Sequence, residues 1–135
     1  MDQSACDGEG DRVPEGPEIR RVADSLRPAL LNQPVHVQFY KSGSEHCSAL
    51  VNGQRVRAVK AVGKALLIEF DNDRTIYCHS QLYGRWKVLA NDKDYRTSRQ
   101  LRLLLQGPTR QARLYSASTI ELLEAPDLLV HPFLS

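Results

Sequence analysis

QRVRAVKAVGKALLIEFDNDRTIYCHS, residues 54–80, places three runs of β-type residues between two turn signals. Gly63-Lys64 separates QRVRAVKAV from ALLIEF, and DNDR at 71–74 separates ALLIEF from TIYCHS. Short runs rich in β-branched and apolar residues, punctuated by Gly, Asp and Asn, read as consecutive strands of a meander or sandwich. The pattern continues outward. RWKVLA at 85–90 is a further run, and QLRLLLQ and QARLYSA flank the turn GPTR at 107–110 as one more hairpin. On the N-terminal side Val35, Val37 and Phe39 alternate with polar residues, as a half-buried strand would, and YKSGSEHCS at 40–48 reads as a polar loop.

Helical signals bracket the strands. Ile19, Val22, Ala23, Leu26 and Leu30 recur at three- and four-residue steps behind a first turn holding Pro17 and Glu18, and Pro28 is expected to kink or end this helix early. Ser118-Thr119-Ile120-Glu121 has the form of a capping box ahead of LLEAPDLLVHPFL, which predicts a short helix interrupted near Pro126. The expected order is helix, many strands, helix: a mainly β chain with flanking helices.

With 135 residues, 41% of them hydrophobic, the chain is long enough to bury one core. No apolar run has the length of a membrane span, and the first dozen residues lack the basic start and apolar middle of a secretory signal. Cys6, Cys47 and Cys78 are odd in number and share no C-x-x-C spacing, so neither a disulfide framework nor a cysteine metal site is expected, and a reducing cytoplasm is the expected location. His46-Cys47 and Cys78-His79 are adjacent pairs that a strand would point to opposite faces, so no metal site is expected in this chain. Charge divides the chain sharply. Residues 1–12 hold Asp2, Asp7, Glu9 and Asp11 against Arg12, a net of −3, and leave +5 on residues 13–135. MDQSACDGEGDR has little to bury and reads as a disordered leader, while the body is basic enough for a polyanionic partner.

Four constellations carry chemistry. In PEGPEIRR at 14–21, Pro14 would be a nucleophilic secondary amine if it were the first residue, beside the carboxylates Glu15 and Glu18. Behind a preceding residue it is a tertiary amide that can neither donate nor attack. Spacing alone favours a plain helix start at Pro17 and Glu18. Lys64, at a hairpin tip behind Gly63, can reach a phosphate or a leaving group, or simply sit in solvent. In HSQLYGRW at 79–86, Gln81, Leu82 and Tyr83 put an amide, an apolar wedge and an aromatic in succession. Such a trio fills the hole left by a nucleotide turned out of a duplex, or packs into the core beside Trp86. Finally, Tyr95 to Ile120 contains five arginines, among them Arg99, Arg102 and Arg113, and no acidic residue, which suits a phosphate backbone.

Taken in order, PEGPEIRR, GKALL, HSQLYG, LYSAS and HPFL resemble the N-terminal domain of the formamidopyrimidine-DNA glycosylase/endonuclease VIII family across residues 14–135. GPEIRR and QLYG are more similar to the endonuclease VIII branch, which removes oxidised pyrimidines. The resemblance implies a two-layer β-sandwich flanked by helices and a monomer acting on double-stranded DNA with oxidised bases or abasic sites. It implies that an N-terminal proline attacks C1′ of the damaged nucleotide, displaces the base, and breaks the strand by β,δ-elimination. By matching position Pro14 would be the nucleophile, Glu15 the acid or base at the sugar, Lys64 the proton donor or phosphate contact, Glu18 a supporting carboxylate, and Gln81, Leu82 and Tyr83 the void-filling trio.

Two departures from the family pattern bear on activity. The leader precedes Pro14, and the expectation is that Val13 marks a GTG start codon, so that residues 1–12 stand outside the native chain. The family's helix–two-turn–helix domain and zinc finger would lie beyond residue 135, so no cofactor is expected here and residues 1–135 alone are expected to bind DNA weakly and to react little. The alternative is a catalytically inactive DNA-binding module on the same fold.

Overall fold

The hairpins of residues 54–79 form as their turn residues dictate. The computed structural model describes residues 17–40, 44–79, 85–116 and 119–124. They form α1 (Pro17–Leu30), β1 (His36–Phe39), α2 (Glu45–Val51), β2 (Val56–Val62), β3 (Ala65–Phe70), β4 (Arg74–His79), β5 (Arg85–Ala90), β6 (Leu101–Gln106), β7 (Arg110–Tyr115) and β8 (Thr119–Glu124). Val62 pairs with Ala65, so Gly63-Lys64 is a two-residue loop. Gly63 takes a left-handed φ of 59°, which glycine at the first position of such a hairpin supplies without strain. At the other turn Asp73 takes φ 67°, a conformation that aspartate tolerates better than most side chains.

Two antiparallel four-stranded sheets result, ordered β1-β6-β7-β5 and β2-β3-β4-β8. Val37, Leu103 and Leu114 of the first sheet share one buried cluster with Val59, Ile68 and Ile76 of the second and with Leu26 and Leu30 of α1. This is the two-layer sandwich that the resemblance implies. Strands β3 and β4 are buried on both faces, because Ala65, Leu67, Tyr77 and Leu123 form a second buried cluster on the far side of their sheet. That explains why ALLIEF reads as a continuous apolar run rather than an alternating one.

Three expectations are corrected. The segment read as a polar loop contains the first half of α2, whose Ser48 Oγ accepts a hydrogen bond from the Phe39 amide, and Asn52 Oδ1, just past its last turn, accepts one from the Val37 amide, each at 2.9 Å. Their polarity serves β1, an edge strand whose outward amides need acceptors. Pro28 does not end α1, which runs on to Leu30. The fully buried Leu30 contributes about 2 kcal/mol, which with Ala29 offsets much of the roughly 3 kcal/mol that an interior proline costs. Thr119, Ile120 and Glu121 of the expected capping box form β8 with Leu122, Leu123 and Glu124 instead of starting a helix, pairing with β4 from Arg74↔Glu124 to His79↔Thr119, while Ser118 and residues 125–134 of that segment lie outside the described residues. Without β8, buried β4 would leave backbone groups unpaired, and that tertiary demand overrides the local helix signal.

Gly107 fixes where α1 meets the first sheet. A Cβ there would lie 2.6 Å from the Ala29 carbonyl oxygen and 3.4 Å from that of Arg110, both backbone atoms. Gly107→Ala is therefore expected to cost about 1–3 kcal/mol, as overpacking does, read as a lower denaturant midpoint with unchanged slope. An unchanged midpoint would show that the helix end is free to move.

Candidate active-site end of the sandwich

Pairing registers decide which loops share an end. Ala65 faces His79, and His79 faces Thr119, so the Gly63-Lys64 tip, the end of β4 and the start of β8 stand side by side. In the other sheet Tyr115 faces both Arg85 and Leu101. Helix α1 is held at its C-terminal end by the Leu31–Val56 bridge, by Arg27 Nε donating to the Val59 carbonyl at 3.0 Å, and by the close approach of Ala29 to Gly107. Leu31 lies by Val56 and Arg27 by Val59, so the helix runs antiparallel to β2 and its N-terminus points toward the Gly63-Lys64 tip. The helix rises about 15 Å from Arg27 back to Pro17, and the strand advances about 16 Å from Val59 to Lys64. Sequence position hides this convergence, because more than forty residues separate Pro17 from Lys64.

Each sequence-selected residue can now be placed. Lys64 is exposed at the hairpin tip. Glu18 belongs to the first turn of α1, while Pro14 and Glu15 lie outside the described residues, as does the trio Gln81, Leu82 and Tyr83. The chain on both sides of the trio is described: residues 80–84 connect His79 at the end of β4 with Arg85 at the start of β5. The carbon skeleton thus brings the start of α1, the lysine tip and both anchors of the trio to one end. His79, to which the sequence reading gave little weight, lies in that same end row between Ala65 and Thr119.

The arginine run is different. Arg99 and Arg102 are half-buried, the first in the β5–β6 connection and the second on β6. Arg113 is committed internally: its Nη1 donates to Asp94 at 2.8 Å and to the Tyr115 hydroxyl at 3.2 Å, and its Nε donates to Gln111 at 2.8 Å. These bonds, led by the one to Tyr115, hold the guanidinium more firmly protonated than usual. Asp94, bonded by Arg113 and then by the Tyr95 amide, is held below the ordinary carboxylate range. The premise that the run has no acidic partner is thereby corrected, since Asp94 stands one residue outside it. Arg113 is a positioning group for the β5–β6 connection rather than an open phosphate site.

Cys78 stands one residue before His79 on β4, next to this end row, but is buried. Burial pushes the Cys78 thiol well above its ordinary range, so it supplies no thiolate. Cys47 and His46 lie on α2 rather than on a strand. Among the described residues no three His, Cys, Asp or Glu side chains gather as a metal set, and no helix there is long and apolar enough to cross a membrane.

Comparison with known proteins adds to this geometry. Residues 13–118 match the family described as formamidopyrimidine-DNA glycosylase N-terminal domain. The chain is 45% identical over 123 residues to proteins named Endonuclease 8 from Escherichia coli (strain 55989 / EAEC) and Shigella dysenteriae serotype 1. Those alignments cover 90% of this chain and 47% of each relative, so the chain spans about half the length of the curated relatives it matches. A Lactococcus lactis formamidopyrimidine-DNA glycosylase bound non-covalently to DNA containing an AP site has the same fold, with TM-score 0.73, 18% identity, and coverage of 85% of this chain and 47% of that one. MutM in complex with DNA containing carbocyclic 8-oxo-G aligns with TM-score 0.74 at 19% identity, over 86% of this chain and 47% of that one.

Proposed function

The chain belongs to the formamidopyrimidine-DNA glycosylase family through its N-terminal domain, and from that premise we propose that it is the catalytic domain of a base-excision DNA glycosylase and AP lyase acting on oxidised pyrimidines. The observation that carries the reading is the convergence of the α1 N-terminus and the Gly63-Lys64 tip at one end of a sandwich 45% identical to Endonuclease 8.

The reaction follows from the amine. A neutral Pro14 nitrogen attacks C1′ of the damaged nucleotide, a C–N bond forms, and the bond to the base breaks with its electron pair leaving on the base, which takes a proton. Glu15 handles protons at the sugar as the ring opens to an iminium. Loss of the C2′ proton expels the 3′-phosphate, a second elimination expels the 5′-phosphate, and water then releases the amine. Lys64 donates a proton or holds a phosphate near the tip, and Glu18 supports the first turn electrostatically. Gln81, Leu82 and Tyr83 fill the space vacated by the extruded nucleotide.

A second reading is a binding-only module, favoured by one observation: in the sequence as given Val13 precedes Pro14, and an amide nitrogen has no nucleophilic pair. The assay that separates substrates uses duplexes carrying thymine glycol or an oxidised purine, with protein that begins at Pro14. Weak strand nicking at thymine glycol, in preference to the purine lesion, is expected. Preference for the purine lesion would contradict the substrate assignment, and binding without any nicking would favour the second reading.

A further inference from the structure

The two sheets differ in how they handle charge. Residues 55–79 and 119–124, which form the β2-β3-β4-β8 sheet, hold five cations and five carboxylates. They pair across strands: Arg57 with Asp73 at 2.9 Å, Lys60 with Glu69 at 2.9 Å, and Arg74 with Glu124 at 3.3 Å. Residues 85–116, from β5 through β7, hold eight cations against Asp92 and Asp94 alone, a net of +6. The +5 of residues 13–135 is thus concentrated on one sheet.

Topology spreads that charge over a single face. β5 and β6 both pair with β7, so the chain between them must step across it. The β5–β6 connection, residues 91–100, is laid over the outer face of the sheet, where Asp94 meets Arg113, Tyr95 packs on Tyr115 at 5.7 Å, and the Lys87 ammonium lies 4.6 Å from the Tyr95 ring centre. Its ends are tied by the Asn91 amide to Thr109 at 3.0 Å and by the Ser116 amide to the Gln100 carbonyl at 2.9 Å. Gln111 and Tyr115 are buried beneath it. Arg85, Lys87, Lys93 and Arg96 are left exposed on or beside this face, with Tyr95 38% exposed among them.

We propose that this outer face of the β1-β6-β7-β5 sheet, with residues 91–100 strapped across it, is a second nucleic-acid surface that takes the phosphate backbone of duplex DNA flanking the lesion. The proposal rests on the DNA-binding part of the reading above. Like charges gathered on one face repel and destabilise the folded state, whereas the other sheet of the same molecule neutralises its own. A polyanion removes that repulsion by exchanging condensed counterions for lysine and arginine. The face is about 17 Å long along β7, enough to meet the few phosphates that one strand presents on one side of the duplex. Exposed Tyr95 beside Lys87 adds an aromatic and cationic contact suited to a sugar-phosphate edge.

The test measures binding to an undamaged duplex as a function of salt for the chain, for the double variant Lys93→Gln/Arg96→Gln, and for Lys60→Gln on the neutral sheet. The double variant is expected to lower the slope of log K against log salt by about 1.8, equivalent to roughly tenfold less loss of affinity between 50 and 200 mM salt. Lys60→Gln is expected to leave the slope unchanged. An unchanged slope in the double variant, with wild-type circular dichroism, would overturn the proposal. If the unaltered chain binds no duplex at any salt, the functional reading itself fails, an outcome separate from an unchanged slope.

Discussion

Protein whose first residue is Pro14 is captured covalently on abasic duplex DNA when borohydride is added, and the same protein beginning at Met1 gives no such adduct: this is the largest effect expected. The contrast is one of bonding, not of degree. As an N-terminal residue Pro14 is a secondary amine with a pKa near ~8, so an appreciable neutral fraction exists at physiological pH to attack the aldehyde of an opened abasic sugar. The iminium so formed is what hydride reduces to a stable amine. Behind Val13 the same nitrogen is an amide whose lone pair is delocalised into the carbonyl, and no conformational change restores it. Placement matters as well as chemistry, because α1 aims this end of the chain toward the Gly63-Lys64 tip. Adducts of equal yield from both forms would mean that lysine amines do the capturing and that Pro14 has no special role.

Leu26→Ala is the second large expectation, and it tests the scaffold rather than the chemistry. Leu26 is fully buried, as are Ala23 and Leu30 on the same stripe of α1, and it belongs to the cluster that joins both sheets. Truncation removes three carbons from a site that cannot collapse, since rigid sheet backbone lies on one side and the helix is pinned by Arg27 and Ala29 on the other. Leu→Ala at such sites costs about 3 kcal/mol, a large share of the roughly 5–15 kcal/mol available to a domain. A fall in Tm of about 10 °C is expected, whereas Arg20→Ala on the exposed face should change it little. A loss below about 1 kcal/mol for Leu26→Ala would show that α1 is a loose appendage, and the convergence of its N-terminus with Lys64 would lose its support.

Where structure is decided locally, the sequence was a sound guide. The two-residue turn at Gly63-Lys64, the apolar stripe of α1 and the alternation of Val35, Val37 and Phe39 each follow from a few neighbouring residues, and the folded chain has them. Where partners are distant, reading failed for identifiable reasons. Ser48 read as a loop residue and Asn52 was given no role, yet their task is to satisfy the amides of an edge strand nine and fifteen residues earlier. Ser118-Thr119-Ile120-Glu121 carries a helix-start pattern, but buried β4 requires a partner strand at that place. Within the candidate site the same division holds. Lys64 was legible because a hairpin tip is a local feature. The commitment of Arg113 to Asp94 was not, because those residues are nineteen apart and meet only when the β5–β6 connection crosses β7.

The same crossing explains why a basic run and a basic face are different things. Along the chain the arginines from Arg96 to Arg113 look equivalent. In the fold one of them anchors the strap from beneath, while Arg96, on the strap itself, faces solvent with Arg85 and Lys93. Charge position in space, set by strand order, divides an internal tie from a surface able to meet phosphate.

The central claim is that Pro14 is the nucleophile, and the most direct measurement is mass-spectrometric mapping of the borohydride-reduced adduct formed by protein beginning at Pro14. The account predicts that the sugar-derived mass sits on the N-terminal peptide, at the Pro14 nitrogen. Finding it on Lys64 or on any other lysine would contradict the account and assign the Schiff base to a different amine.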